Sequence, residues 1–239
     1  LEYATLLAPR DMDCAQLPPT PEPSTPNLLH TPATSLPMKK VFVVGLSKTG
    51  TSSLHAALEQ VGYRSIHDPE GMLSLSEHGL TYATKMAADY DALSDLPIAG
   101  FYRELDSAFP NSLFILTTRD EDAWLQSCAN HFHSTVFRPN AAVRALVERV
   151  YGSDHFDAEG FRNAYRQHTE AVLNHFADRK TDLLVLDVAQ EHKWKHVCTF
   201  LGIAEPNTAY PHENRATPIP PLVKNFLRRI ASLWRRITN

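Results

Sequence analysis

Three short apolar runs, residues 41–44, 112–117 (Ser-Leu-Phe-Ile-Leu-Thr) and 183–186, are separated by longer stretches in which apolar residues recur every three or four positions. The runs are too short for helices and rich in β-branched or bulky residues, so they read as buried strands. The periodic stretches read as amphipathic helices over 52–61, 81–90, 99–108, 121–131, 140–151, 157–178 and 191–201, the last closed by Gly202. Asp120 and Asp122 sit where the helix over 121–131 needs acidic N-terminal groups. Weaker strand signals lie at 63–66, after the Gly62 break, and at 91–94. The alternation predicts an α/β fold. A mostly parallel central sheet carries helices on both faces in one three-layer, P-loop-like domain. Ligands in such folds bind at the carboxyl ends of the strands.

The flanks differ from this middle. Residues 1–38 hold eight of the 17 prolines and read as a disordered or loosely docked extension. Residues 39–220 make up the domain. Residues 221–239 carry Lys224, Arg228, Arg229, Arg235 and Arg236 with no acidic residue, leaving −9 on the rest of a chain whose net charge is −4. Leu222, Val223, Phe226, Leu227, Ile230, Leu233, Trp234 and Ile237 make this tail a basic amphipathic helix. It either packs on the domain or makes peripheral contact with an anionic membrane. The negative balance argues against nucleic acid as a partner. Cys14, Cys128 and Cys198 form no disulfide framework and suit a reducing, cytoplasmic setting. No apolar run nears the ~20 residues that span a bilayer, and the N-terminus lacks the basic-then-apolar order of a secretion signal. Oligomeric state leaves no trace in the sequence.

The chemistry concentrates where the first strand ends. Lys40-Val-Phe-Val-Val-Gly-Leu-Ser-Lys-Thr-Gly-Thr-Ser-Ser-Leu54 runs from strand through a Gly/Ser/Thr loop into a helix. That order builds a phosphate cradle from loop N–H groups and the positive end of a helix. It departs from G-x-x-x-x-G-K-[ST]: from Gly45 the second glycine is Gly50, but Thr51 stands in the lysine slot. Lys48 lies two residues before Gly50, on the rim of the cradle, where a charge meets the bridging oxygen of a bond being broken.

The order Ser47-Lys48-Thr49-Gly50-Thr51-Ser52-Ser53 resembles the 5′-phosphosulfate loop of sulfotransferases that use 3′-phosphoadenosine 5′-phosphosulfate (PAPS). Ser47 replaces the family's common proline. Ser53 replaces the aromatic residue that cytosolic members often use against adenine. A second motif strengthens the resemblance. Arg119 follows the strand over 112–117, and Ser127 lies eight residues on, about two turns into a helix. An arginine fork and a hydroxyl both donate to phosphate oxygens, and in the family this pair holds the 3′-phosphate of PAPS. In the late loop Pro211-His-Glu-Asn-Arg215, Asn214 and Arg215 stand where the family closes a basic loop over the same phosphate, although the usual Arg-Lys-Gly triplet is absent.

The resemblance implies sulfuryl transfer from PAPS to a hydroxyl or amine of a small-molecule acceptor, leaving adenosine 3′,5′-bisphosphate. Lys48 would stabilise the leaving phosphate, with no metal required. A hydroxyl acceptor also needs a base. In the family a His-Leu-Pro stretch supplies it, and Asp95-Leu96-Pro97 stands in nearly that register, 24 residues before Arg119, making Asp95 the first candidate. A carboxylate needs partial burial for that role. His67 is the second candidate. The acceptor pocket is expected from residues 67–98 and 131–165, where Tyr82, Tyr90, Phe132, Phe137 and Tyr151 either line it or fill core. His131-x-His133 and the pair His192/His196 are too easily met by chance among 12 histidines to argue for a metal. The competing readings are a P-loop kinase or NTPase, with Asp187 as its nearest magnesium-binding aspartate, and a catalytically silent P-loop adaptor acting through its tail.

Overall fold

The computed structural model describes residues 38–67, 79–132 and 141–213. The expectations for residues 1–37, Phe137, Asn214, Arg215 and the tail over 221–239 lie outside them.

The order is β1 (Val41–Val43), α1 (Thr51–Gln60), β2 (Ser65–His67), α2 (Gly79–Asp89), β3 (Ala92–Ser94), a 3₁₀ turn (Ile98–Phe101), α3 (Tyr102–Ala108), β4 (Leu113–Thr118), α4 (Glu121–Phe132), α5 (Ala141–Tyr151), α6 (Ala158–His175), β5 (Leu183–Asp187) and α7 (Lys193–Leu201). The sheet runs β2-β3-β1-β4-β5 and every pairing is parallel. The sheet is thus wholly rather than mostly parallel. Alternate residues of β1 feed different layers. Phe42 packs with Leu93, Phe114, Trp124 and Phe161 under α2 to α6, while Val41 and Val43 pack with Leu54, Leu58 and Val197 under α1 and α7. Burial on both faces explains the unbroken apolar runs that announced these strands.

Two boundaries moved for local reasons. The helix expected over 99–108 opens as a 3₁₀ turn at Ile98, immediately after Pro97, and becomes α-helical at Tyr102. Pro97 has no N–H to donate, and it leaves the first turn tighter than the rest. The strand expected over 63–66 begins at Ser65 and ends at His67, paired with Ser94. That register places the histidine ring, rather than an aliphatic side chain, at the sheet's carboxyl edge.

The cradle loop approaches β4 closely. A β-carbon built on Gly45 would lie 1.9 Å from Thr117 Oγ1 and within 2.6 Å and 2.8 Å of Thr117 backbone atoms. A side chain can rotate away, but paired backbone in mid-sheet cannot. We expect Gly45→Ala to destabilise the domain by about 3 kcal/mol, lowering its melting midpoint by roughly 10 °C. Denaturant titration with an unchanged m-value would check this.

Candidate active site

Because all strands run the same way, their carboxyl ends share one edge. β1 leads into the cradle loop, β2 ends in His67, β3 is followed by Asp95, β4 by Arg119, and β5 ends in Asp187. The switch in strand order falls beside β1, where such folds place their ligand.

Gly50, at φ 98°, turns the loop into α1, whose N-terminus has no side-chain cap and no acidic residue in its first turn. The first N–H groups of a helix have no partner within it, so this end offers donors and partial positive charge together. Thr49 braces the loop from beneath, with Oγ1 donating to the Leu46 carbonyl at 2.6 Å and lying 2.6 Å from Thr117 Oγ1. Lys48 is half-buried in the left-handed region at φ 73°. The Trp124 indole, fully buried on α4, donates to the Ser47 carbonyl at 2.9 Å. The loop is therefore fixed both from the sheet and from α4.

Arg119 stands against this loop, its Nη1 donating to the Lys48 carbonyl at 3.2 Å. Tyr165 on α6 clamps the Arg119 backbone, accepting from its N–H at 3.0 Å and donating to its carbonyl at 2.7 Å. The acidic neighbours are engaged elsewhere: Glu121 pairs with Arg162 and with Arg166, and Asp122 with Arg162. These contacts hold the Glu121 carboxyl below its usual range, the Arg166 bond most of all. Ser127 is half-buried on α4, one turn beyond Trp124. The structure thus brings Arg119 to the same edge as Lys48, and Ser127 lies on the helix that follows it.

Asp95 is 9% exposed and in the left-handed region at φ 67°. Its Oδ1 accepts from the Ser47 hydroxyl and, at 2.8 Å, from the Leu96 N–H. Its Oδ2 has the Thr51 hydroxyl at 3.5 Å and His67 Nε2 at 3.8 Å. The two base candidates are therefore neighbours. His67 also lies 2.9 Å from Ser52 Oγ and 3.0 Å from Ser94 Oγ. Tyr151, among the aromatics expected to line a pocket or fill core, is fully buried; its phenol is pushed upward by burial and the nearby Asp95 charge, so it stays protonated.

A shallow hollow beside the loop is bounded by Gly50, Ser53, Asp187, Lys193, Tyr210 and His212. Ser53 Oγ accepts from the Glu213 N–H at 3.0 Å, tying the late loop to the start of α1. A second, apolar hollow is lined by Tyr82, Met86, Ser94, Leu96 and Pro97, the chain neighbours of Asp95 among them, and has room for about one water. Asp187 accepts from Thr118 Oγ1 at 3.2 Å and the Ala189 N–H at 2.7 Å, so it closes its own turn. Among the described residues no cluster of three or more His, Cys, Asp or Glu side chains is placed to hold a metal ion, and no helix is long and apolar enough to cross a membrane. Trp124, Tyr165 and Tyr210 escaped the sequence reading. Only Trp124, five residues past Arg119 on the helix that carries Ser127, offered a positional hint.

A family model described as a sulfotransferase domain matches residues 40–219. The chain is 26% identical over 208 residues to Ava biosynthesis cluster protein M of Aspergillus versicolor, an alignment covering 72% of this chain and 80% of that protein. A sulfotransferase crystal structure from Alicyclobacillus acidocaldarius aligns with 81% of this chain and 92% of its own at 17% identity, with a TM-score of 0.47. The chain belongs to the sulfotransferase family, and its five-stranded parallel α/β domain is that of a group-transferring enzyme.

His168 supports the site from behind, donating from Nε2 to the Val44 carbonyl at 2.7 Å. Burial holds its pKa below the ordinary 6.5. The unfolded chain therefore takes up a proton near that pH while the folded chain does not. Stability should be intact above about pH 6.5 and should fall as pH drops below it, by up to ~1.4 kcal/mol per unit, until the lower folded-state value is passed. His168→Gln retains an N–H donor without the titration. Its stability should respond less to pH between 6.5 and 5, as measured by denaturant midpoints across that window.

Proposed function

We propose that the enzyme transfers a sulfuryl group from PAPS to a hydroxyl of a small, partly apolar acceptor. The observation carrying this reading is the contact of Arg119 with the Lys48 carbonyl, which joins two anion-binding elements far apart in sequence. The donor set fits a nucleotide with phosphate at both ends. Thr51, Ser52 and the α1 N-terminus would hold the 5′-phosphate, and Arg119 with Ser127 the 3′-phosphate. A cradle with an uncapped helix end favours dianions over neutral ligands. Tyr210 and His212, beside Ser53, offer rings for the adenine where the loop lacks its aromatic residue.

Lys48 would meet charge developing on the leaving phosphate oxygen, an effect realised mainly in the transition state. Asp95 would take the acceptor's proton through Oδ2, since Oδ1 already accepts from Ser47 and Leu96. The apolar side chains Tyr82, Met86 and Leu96 on the Asp95 side of the loop would meet the hydrocarbon part of the acceptor, whose hydroxyl would then reach Asp95.

Two substitutions test the donor. Lys48→Met should lower kcat by about 100-fold or more while leaving affinity for adenosine 3′,5′-bisphosphate within a few-fold. Arg119→Ala should weaken that ligand by roughly 10- to 100-fold and weaken 5′-AMP much less. Isothermal titration without Mg²⁺, together with mass spectrometry for addition of SO₃ to acceptors, gives both readouts. Equal binding of the two nucleotides by the native protein would remove the 3′-phosphate assignment.

A further inference from the structure

The geometry points to a two-carrier proton path in which Asp95 passes the acceptor's proton to His67. This rests on the reading of Asp95 as the base. The hydrogen bonds around His67 fix its tautomer. Ser94 directs its hydroxyl proton to the Ile66 carbonyl at 3.2 Å, so its oxygen accepts from His67 Nδ1–H at 3.0 Å. A neutral imidazole carries one proton. Nε2 is therefore a lone pair, accepting from the Ser52 hydroxyl at 2.9 Å and facing Asp95 Oδ2 at 3.8 Å. A lone pair beside a carboxylate oxygen lacks the proton that would bind them, and a proton arriving on Oδ2 supplies it. The product, an imidazolium beside a carboxylate with 17% and 13% side-chain exposure, is an ion pair in a shielded place.

The surroundings favour a charge there. From β3, Asp95 faces the ring. From α1, His55 stacks on it at 5.7 Å and is held towards its neutral form mainly by burial, so no second cation opposes the first. Behind His55 lie Glu59 at 3.6 Å and, more remotely, Glu213, both negative. The step balances. The acceptor oxygen bonds to sulfur, the bond from sulfur to the bridging oxygen breaks, and that oxygen keeps the electron pair. The acceptor's proton moves to Asp95 Oδ2 and then to His67 Nε2, restoring the carboxylate before solvent removes it. His67 thus acts through Asp95 as a positioning and relay residue.

The test has one arm free of turnover. Long-range ¹H–¹⁵N spectra of the ligand-free protein should show neutral His67 protonated on Nδ1, with Nε2 unprotonated. A neutral form protonated on Nε2 would overturn the relay. In kinetics, His67→Gln should shift the acid limb of kcat to lower pH with a ~10- to 100-fold lower plateau and affinity for adenosine 3′,5′-bisphosphate within a few-fold of native. An unmoved limb with full kcat would also overturn it. Asp95→Asn separates the two readings: full turnover there removes Asp95 as the base, whereas loss of turnover with His67→Gln fully active removes the relay alone.

Discussion

The site depends on the direction of five strands. Parallel pairing with β1 at the centre obliges every strand to release its chain at the same edge, and the residues released there are a hydroxyl-rich loop, a histidine, an aspartate and an arginine. In an antiparallel sheet half of these groups would face the far side. The backbone approach of Gly45 to Thr117 expresses the same constraint on a small scale. The loop sits on the strand that delivers Arg119, with no side chain between them.

Parallel strands need buried faces, and the two faces are built differently. Under α2 to α6 lies a large aromatic cluster of Phe42, Phe114, Trp124, Tyr151, Phe161 and Phe176, with rings as close as 4.6 Å for Tyr151 and Phe161. Under α1 and α7 the residues are mostly aliphatic. Trp124 belongs to the aromatic cluster, yet its indole N–H holds the Ser47 carbonyl. One side chain thus ties core packing to the placement of the cradle.

Much of this was legible in the sequence because strand, loop and helix are coded locally. The cradle from Lys40 to Leu54 needed no distant information, nor did the strand before Arg119 or the helix carrying Ser127. What escaped required knowledge of pairing. Nothing near Ser94 says that its hydroxyl points a histidine 27 residues earlier towards Asp95. Tyr165 sits in a helix with ordinary apolar spacing, and only the packing of α6 against β4 reveals that it clamps Arg119. The two base candidates, weighed as rivals from sequence, are neighbours because β2 and β3 pair in register at His67 and Ser94.

Lys48 occupies a backbone conformation that lysine seldom adopts. Its carbonyl is held by the Arg119 guanidinium, which in the proposed function also takes the phosphate on the far side of the nucleotide. Under that reading, an arginine drawn towards the phosphate would pull on the peptide that aims the lysine. The distal phosphate would then serve as more than a handle: its arrival would be transmitted through one hydrogen bond to the orientation of the ammonium group. Analogues lacking it would lose speed as well as grip, a selectivity built into the wiring of the loop rather than into the size of a pocket.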